Sequence, residues 1–127
     1  MGERFAITKT TKEGLPRLPF RDMKKAVLGS SYTLSLVFIG DKRSQSLNKK
    51  YRGKNKPANV LSFPLSKTEG EIFINMREAG RGARTYQLTQ QKFIGLLFIH
   101  GMLHLKGYRH GSTMEKQEEK WEKKFNI

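Results

Sequence analysis

All three histidines of the 127-residue chain lie within eleven residues, HGMLHLKGYRH, from His100 to His110. His100 and His104 are four positions apart, so on a helix both imidazoles project from the same face. Gly107 tolerates a positive φ and lets the chain turn back, which brings His110 toward the other two. Three converging imidazoles match a catalytic zinc site, in which water takes the fourth position. The chain has no cysteine, which excludes a metal site with thiolate ligands. We therefore expect one Zn²⁺ per chain, bound by these histidines.

The histidine spacing is also that of the metzincin proteases, H-E-x-x-H-x-x-G-x-x-H. Those enzymes place a general-base glutamate directly after the first histidine, where this chain has Gly101. Glycine has no group that moves a proton, and the neighbouring residues are mostly apolar or cationic. We therefore expect a reaction other than peptide hydrolysis. Nickel or copper would also suit three imidazole nitrogens.

The charge of the chain indicates a polyanionic partner such as nucleic acid. Lysine and arginine number 25 against 11 acidic residues, a formal net charge of +14, and no acidic residue occurs from Lys42 to Lys67. Arg52 lies in this stretch, and its planar guanidinium suits a phosphate. Four neighbouring lysines are candidates for contacts to a nucleic-acid backbone that do not read sequence: Lys49, Lys50, Lys54 and Lys56.

The elements that position these residues are predicted to form a single α+β domain over residues 1–127. Strands are predicted at Phe5–Thr8, Tyr32–Ile39, Ala58–Pro64 and Gly70–Asn75. Helices are predicted at Leu18–Gly29, from Asp41 as the N-cap to Gly53, at Leu88–Leu105 and from Met114 onward. The glycine-containing segment Arg77–Tyr86 is predicted to be a loop.

The helix at Leu88–Leu105 is apolar almost all round, which predicts burial on most sides. It carries His100 and His104, so the expected fold is a small mixed sheet packed against helices, with a central buried helix that bears two metal ligands. In the last helix, Met114, Trp121 and Phe125 form an apolar stripe that indicates core contacts.

No secretory signal is visible at the start of the chain. The longest nearly apolar stretch, FIGLLFIHGMLHL, is shorter than the ~20 residues that a membrane span needs. We expect a cytoplasmic protein with no membrane partner, and a monomer is favoured.

Three blocks of the chain resemble the YbeY family, rRNA maturation factors described as single-strand-specific metallo-endoribonucleases. HGMLHLKGYRH is similar to the family's H-G-x-L-H-L-x-G-Y-D-H, and LNKKYRGKNKPANVLSFP to L-N-x-x-Y-R-x-x-x-x-P-T-D-V-L-S-F-P. GEIFIN stands where the family has G-[DE]-I followed by a strand. The order and spacing of the blocks match from Leu47 to His110.

The resemblance implies an α+β fold with zinc in a basic cleft, bound by the three histidines, and an important arginine, which is Arg52 here. It implies an endoribonuclease that matures the 3′ end of 16S rRNA and acts in ribosome quality control. Ribosomal RNA and the small ribosomal subunit are then the expected partners. Tyr51 and Phe63 are further candidates for stacking on unpaired bases, although a helix contact and a core position explain them as well.

The chain departs from the family pattern at two carboxylates. Arg109 replaces the aspartate before the last histidine, and Ala58-Asn59 replaces threonine-aspartate. If Arg109 faces the cleft it favours a phosphate, so it joins the RNA-binding candidates. Glu71 is one of few carboxylates left near the site in sequence. We therefore expect nuclease activity that is weak or dependent on the ribosome. The alternative is a non-catalytic ribosome-assembly factor that binds RNA and holds a structural metal.

Overall fold

The computed structural model describes residues 4–127, so the first three residues of the predicted 1–127 domain lie outside it. The strands of the described chain are β1 (Phe5–Lys9), β2 (Thr33–Ile39), β3 (Val60–Ser66) and β4 (Glu69–Asn75). The helices are α1 (Phe20–Leu28), α2 (Asp41–Arg52), α3 (Met76–Thr85), α4 (Gln90–Leu105) and α5 (Ser112–Phe125). The sheet order is β1-β2-β4-β3, with β3 antiparallel to β4 and the other pairs parallel. The predicted α+β class with a mixed sheet is confirmed.

The two faces of the sheet pack against different helices, because side chains alternate along each strand. On one face Leu36 and Ile72 belong to the main core, which includes the buried side of α4. On the opposite face Leu61 and Phe73 form a smaller cluster, against which Leu47 of α2 packs. The histidine-bearing helix and the lysine-bearing helix therefore cover opposite faces of one sheet.

Helix α4 lies very close to β3 and β4, and Gly101 makes this approach possible. A Cβ at position 101 would lie 2.9 Å from Oγ of Ser62 and 3.2 Å from the side chain of Ile72. Oγ of Ser62 also donates a hydrogen bond of 3.0 Å to the carbonyl of Gly101. These contacts hold the end of α4 that bears the histidines against the edge strand β3. The predicted burial of this helix is confirmed.

The segment Arg77–Tyr86, predicted to be a loop, is instead the helix α3, so this prediction was wrong. The side chain of Asn75 caps the helix by accepting hydrogen bonds from the backbone N–H groups of Arg77 and Glu78. Gly82 lies inside this helix, and its bare Cα leaves the space that the ring of Phe93 occupies. The sequence does contain the start signal, an asparagine followed three residues later by glutamate.

Other boundaries shift by one or two residues. Gly40 is the N-cap of α2, and Asp41 is the first helical residue. The carboxylate of Asp41 accepts hydrogen bonds from Asn75 and Arg81 instead of capping its own helix. Helix α5 begins at Ser112. As predicted, Met114 and Trp121 are core residues and Phe125 packs against the core, although Phe125 is only partly buried. No helix among residues 4–127 is long and apolar enough to cross a bilayer.

Candidate metal centre

The last turn of α4 and the reversal after it bring the three histidines together. The N–H of Gly107 donates to the carbonyl of His104, and the N–H of Tyr108 donates to that of Leu103. This pair of bonds is the Schellman ending of a helix, which needs a left-handed residue at the position of Gly107. Its φ of +98° meets that need. The chain then returns past the helix end and delivers His110.

The imidazoles form one cluster. Their potential ligand atoms all lie within 4.8 Å of one another. The ring centroids of His100 and His104 are 4.5 Å apart, and that of His110 lies 5.1 Å from the first and 4.9 Å from the second. The convergence predicted from the spacing is therefore present in the structure.

Hydrogen bonds determine which ring nitrogens carry protons. Nδ1 of His104 lies 3.0 Å from the carbonyl oxygen of Tyr108, and Nδ1 of His100 lies 3.1 Å from a carboxylate oxygen of Glu118. A carbonyl and an ionised carboxylate only accept, so both Nδ1 atoms are donors. In the neutral rings the two Nε2 atoms then carry lone pairs, and they face each other at 3.0 Å.

This arrangement fits a metal ion. Two lone pairs at 3.0 Å repel each other unless a cation lies between them, and neutral imidazole nitrogens are common metal ligands. A carboxylate or carbonyl behind each imidazole is the usual support of metal-binding histidines. Burial lowers the pKa of His104, and the neighbouring His100 lowers it further, which favours the neutral, ligating form.

Glu118 is the site residue that sequence reasoning missed. It lies on α5, where Met114 and Trp121 form the buried stripe. Position 118 is four residues after Met114 and three before Trp121, so it lies on the same face. A carboxylate inside an apolar stripe was the available signal, and its partner is the Nδ1–H of His100.

The histidines line a cavity of about 550 Å³ together with four other residues, Arg52, Asn59, Val60 and Ser62. Arg52, the last residue of α2, thus lies on the wall of the same cavity as the histidines. Asn59, which stands where the resemblance places an aspartate, is also on the wall. No carboxylate belongs to this lining in the described chain.

The remaining candidates lie away from the cavity wall. Arg109 is exposed and is not part of the lining. The exposed lysines lie at the end of α2 and in the segment after it: Lys49, Lys50, Lys54 and Lys56. Glu71 neighbours Ile72 in β4, so it points to the sheet face opposite α4. Tyr51 packs against Phe63 with ring centroids 5.1 Å apart, and neither lines the cavity.

Comparison with known proteins agrees with the geometry. The sequence model of the family described as Endoribonuclease YbeY matches residues 6–126. The chain belongs to the YbeY family. Its three signature blocks supply the histidines, Arg52 and the strand β4 beneath them.

YbeY proteins of several bacteria are similar to the chain over most of its length. Endoribonuclease YbeY of Alkaliphilus metalliredigens is 35% identical over 76% of this chain and 74% of the relative. The protein of the same name in Mycoplasma mycoides is 38% identical over 66% of this chain and 58% of the relative. That of Thermodesulfovibrio yellowstonii is 39% identical over 61% of this chain and 53% of the relative. The alignments with the last two thus span little more than half of those YbeY relatives.

A solved structure shares the fold. The solution structure of TM1509 from Thermotoga maritima matches with a TM-score of 0.69 at 23% identity, covering 92% of this chain and 85% of that chain. The likeness shows that the helices and the mixed sheet of this YbeY family member follow a known arrangement.

Proposed function

We propose that this protein is a zinc-dependent endoribonuclease that cleaves single-stranded segments of ribosomal RNA. The observation that carries the proposal is one cavity lined by three histidines and an arginine in a chain of the YbeY family. The proposed process is maturation of the 3′ end of 16S rRNA and ribosome quality control in the cytoplasm. The small ribosomal subunit is the proposed partner.

The residues that line the cavity would have different roles in the reaction. A divalent ion there would polarise a phosphoryl oxygen and make hydroxide available near neutral pH. His100, His104 and His110 would hold it, while Glu118 keeps the proton of His100 on Nδ1. The guanidinium of Arg52 is the fixed cation of the wall, suited to two oxygens of one phosphate. The amide of Asn59 offers further hydrogen bonds to the RNA, whereas the hydroxyl of Ser62 donates its proton to Gly101 and offers only an acceptor.

The lysines support binding of the rest of the strand. The stretch from 42 to 67 has no acidic residue, and its lysines are exposed on and beyond α2. Exposed ammonium groups bind phosphates whatever the base sequence. Lys50 also lies over the ring of Tyr51, at 5.1 Å from its centroid. We propose that these side chains hold the RNA while Arg52 contacts the reacting phosphate and the histidines hold the metal ion beside it.

The second candidate function is a weakly catalytic or non-catalytic assembly factor that binds RNA with a structural metal. It is favoured by one observation: among the described residues, no carboxylate lines the cavity. General acid–base groups contribute typically about 10²- to 10⁴-fold to a rate. A cavity without such a group would cleave slowly unless the ribosome supplies one.

Cleavage of labelled single-stranded RNA tests the proposal. We expect zinc-loaded protein to cut it, a chelator to stop the reaction and added zinc to restore it. Arg52→Ala is expected to lower the rate by about 100-fold, since it removes a cation from the reacting phosphate. Arg17→Ala, an exposed arginine outside the cavity, is the matched control. Absence of cleavage after zinc loading, or full activity of Arg52→Ala, would contradict the nuclease.

Restoring the two replaced carboxylates tests whether their loss makes the protein a weak nuclease. If their loss limits the rate, Asn59→Asp combined with Arg109→Asp will cleave at least tenfold faster than the parent, in line with the contribution of a general base. Both proteins must first be shown to carry the same amount of zinc. An unchanged rate at equal zinc content would show that these two positions do not limit the reaction.

A further inference from the structure

A second cavity opens directly beside the histidines. It has a volume of about 410 Å³ and shares Asn59, Val60 and His100 with the histidine cavity. We call it the apolar groove. Its own walls are mostly hydrophobic: Tyr86, Leu88, Phe93, Leu96 and Leu97. The lining also includes Glu118, whose carboxylate accepts the hydrogen bond from Nδ1 of His100. The polar site thus borders a mostly apolar surface, and the one carboxylate of that surface is paired with a histidine.

Tyr86 gives this groove an open aromatic wall. Its ring stacks on Phe93 with centroids 5.8 Å apart and planes 20° from parallel, yet Tyr86 is still 67% exposed. Phe93 beneath it is buried, and the missing side chain of Gly82 leaves room for its ring. A core residue therefore fixes the plane of an aromatic ring whose remaining surface faces solvent.

A single exposed tyrosine is ordinary on a protein surface. Tyr51 is similarly exposed, at 57%, but it packs on the other face of the sheet and lines neither cavity. Tyr86 differs because its ring continues a groove that reaches a metal-ligand candidate. Its position, rather than its exposure, indicates a binding role.

We propose that the apolar groove binds one unpaired nucleobase of the RNA strand, beside the phosphate held at Arg52 and the histidines. This inference rests on the proposed function, and it names a base-binding site that positions the strand. The base stacks on Tyr86 and contacts the leucine walls, while the amide of Asn59 at the shared rim meets its polar edge.

The chemistry of the two cavities favours a nucleotide over other apolar ligands. A nucleotide joins a flat apolar ring with a polar edge to an anionic phosphate, and the neighbouring cavities offer partners for both parts. The net charge of +14 supports an anionic strand. Aromatic side chains bind bases only when these are unstacked from their neighbours, so a double helix would not fill the groove.

An abasic scan combined with Tyr86→Ala tests the site. The probe is a 2′-O-methyl oligonucleotide of single-stranded sequence, with one base at a time replaced by an abasic unit. It is titrated into zinc-loaded full-length protein. We expect one position at which base removal weakens binding by about tenfold, the size of one base–aromatic stack. In Tyr86→Ala the same base removal is expected to have almost no effect.

Two variants serve as controls for this cycle. Tyr86→Phe keeps the ring and is expected to behave as wild type. Leu65→Ala removes another exposed apolar side chain, 56% exposed and outside both cavities, and is expected to leave the scan unchanged. Thermal melting of each variant would confirm that the fold is intact.

The outcomes separate this inference from the nuclease. The protein could cleave RNA and yet show no position at which base removal weakens binding, or Tyr86→Ala could show the same tenfold weakening as wild type. Either result would refute base binding in the apolar groove and would leave the proposed nuclease activity intact. The position-specific step in a protein that cuts no RNA would support the groove and refute the nuclease. No binding of the oligonucleotide would overturn the groove.

Discussion

Two helix ends carry polar side chains near the site, and they differ in how far these side chains are buried and hydrogen-bonded. At the end of α4, His100 and His104 are half-buried, and each has its Nδ1 hydrogen-bonded to a fixed acceptor. At the end of α2, Lys49 and Lys50 are exposed. The histidines are thus held in one geometry, whereas the exposed lysines can adjust to the RNA strand that we propose they bind.

Hydrogen bonds on the buried side of α2 fix the backbone that carries the exposed lysines. The hydroxyl of Ser44 donates to the carbonyl of Ala58 at 2.7 Å and accepts from its N–H at 2.9 Å. The amide of Asn48 donates to the carbonyl of Lys56 at 2.8 Å. The backbone after α2 is therefore anchored, and Asn59 at its end reaches the cavity wall. An anchored backbone with exposed charged side chains suits the proposed interface, which would contact phosphates at varied positions.

The largest effect on zinc affinity is expected at Glu118, because its removal would release His100 at the end of α4 from its fixed orientation. Glu118→Ala takes away the acceptor that orients His100, and losses of such supporting groups typically weaken metal binding by about 10- to 100-fold. Glu118→Gln keeps an acceptor oxygen and is expected to lose less. Competition of the purified variants with a zinc-binding dye measures the affinities directly.

Glu119→Gln is the matched control for this prediction, because it removes the same charge at the next, exposed position. It is expected to bind zinc as tightly as wild type. If Glu118→Ala and Glu119→Gln bind zinc equally well, the contact between Glu118 and His100 does not support a metal site.

A smaller effect is expected at the lysines, where loss of one contact leaves the others in place. Lys49→Ala is expected to weaken RNA binding alike for different single-stranded sequences. It should also lower the slope of log K against log salt by about 0.7, the value for one phosphate contact to a single strand. Titrations at several salt concentrations measure this slope.

Lys25→Ala, on α1 and outside the acid-free stretch, is the comparison for this lysine. It is expected to leave the slope unchanged. If the loss of RNA affinity in Lys49→Ala depended on the base sequence, the end of α2 would contact bases. The difference drawn here between the fixed histidines and the adjustable lysines would then be wrong.

The histidine cluster could be foreseen because its causes are local. Four-residue spacing sets His100 and His104 on one helix face, and Gly107 permits the turn that returns His110. The buried helix and all four strands were also predictable, since hydrophobic periodicity is a strong signal. Arg52 was expected at the site from its sequence block, and the structure places it on the cavity wall.

The parts that escaped prediction depend on contacts between distant segments. The two glycines of α3 are typical of a loop, and only the position of Phe93 shows that Gly82 makes room for a ring. Glu118 stands out in sequence only as a carboxylate within the apolar stripe of α5, and the packing of α5 against α4 is needed to show that its partner is His100. The apolar groove joins Tyr86, α4 and the start of β3, so no single stretch of sequence could reveal it.

Metal content is the measurement that tests the central claim most directly. The protein would be purified without a histidine tag, reconstituted with zinc, freed of excess ion and assayed by elemental analysis. The variant His100→Ala, His104→Ala would be treated in parallel. If the three histidines form a metal centre, the wild type will hold close to one zinc per chain and the variant almost none. No metal in either protein, or equal metal in both, would contradict a metal centre at these histidines.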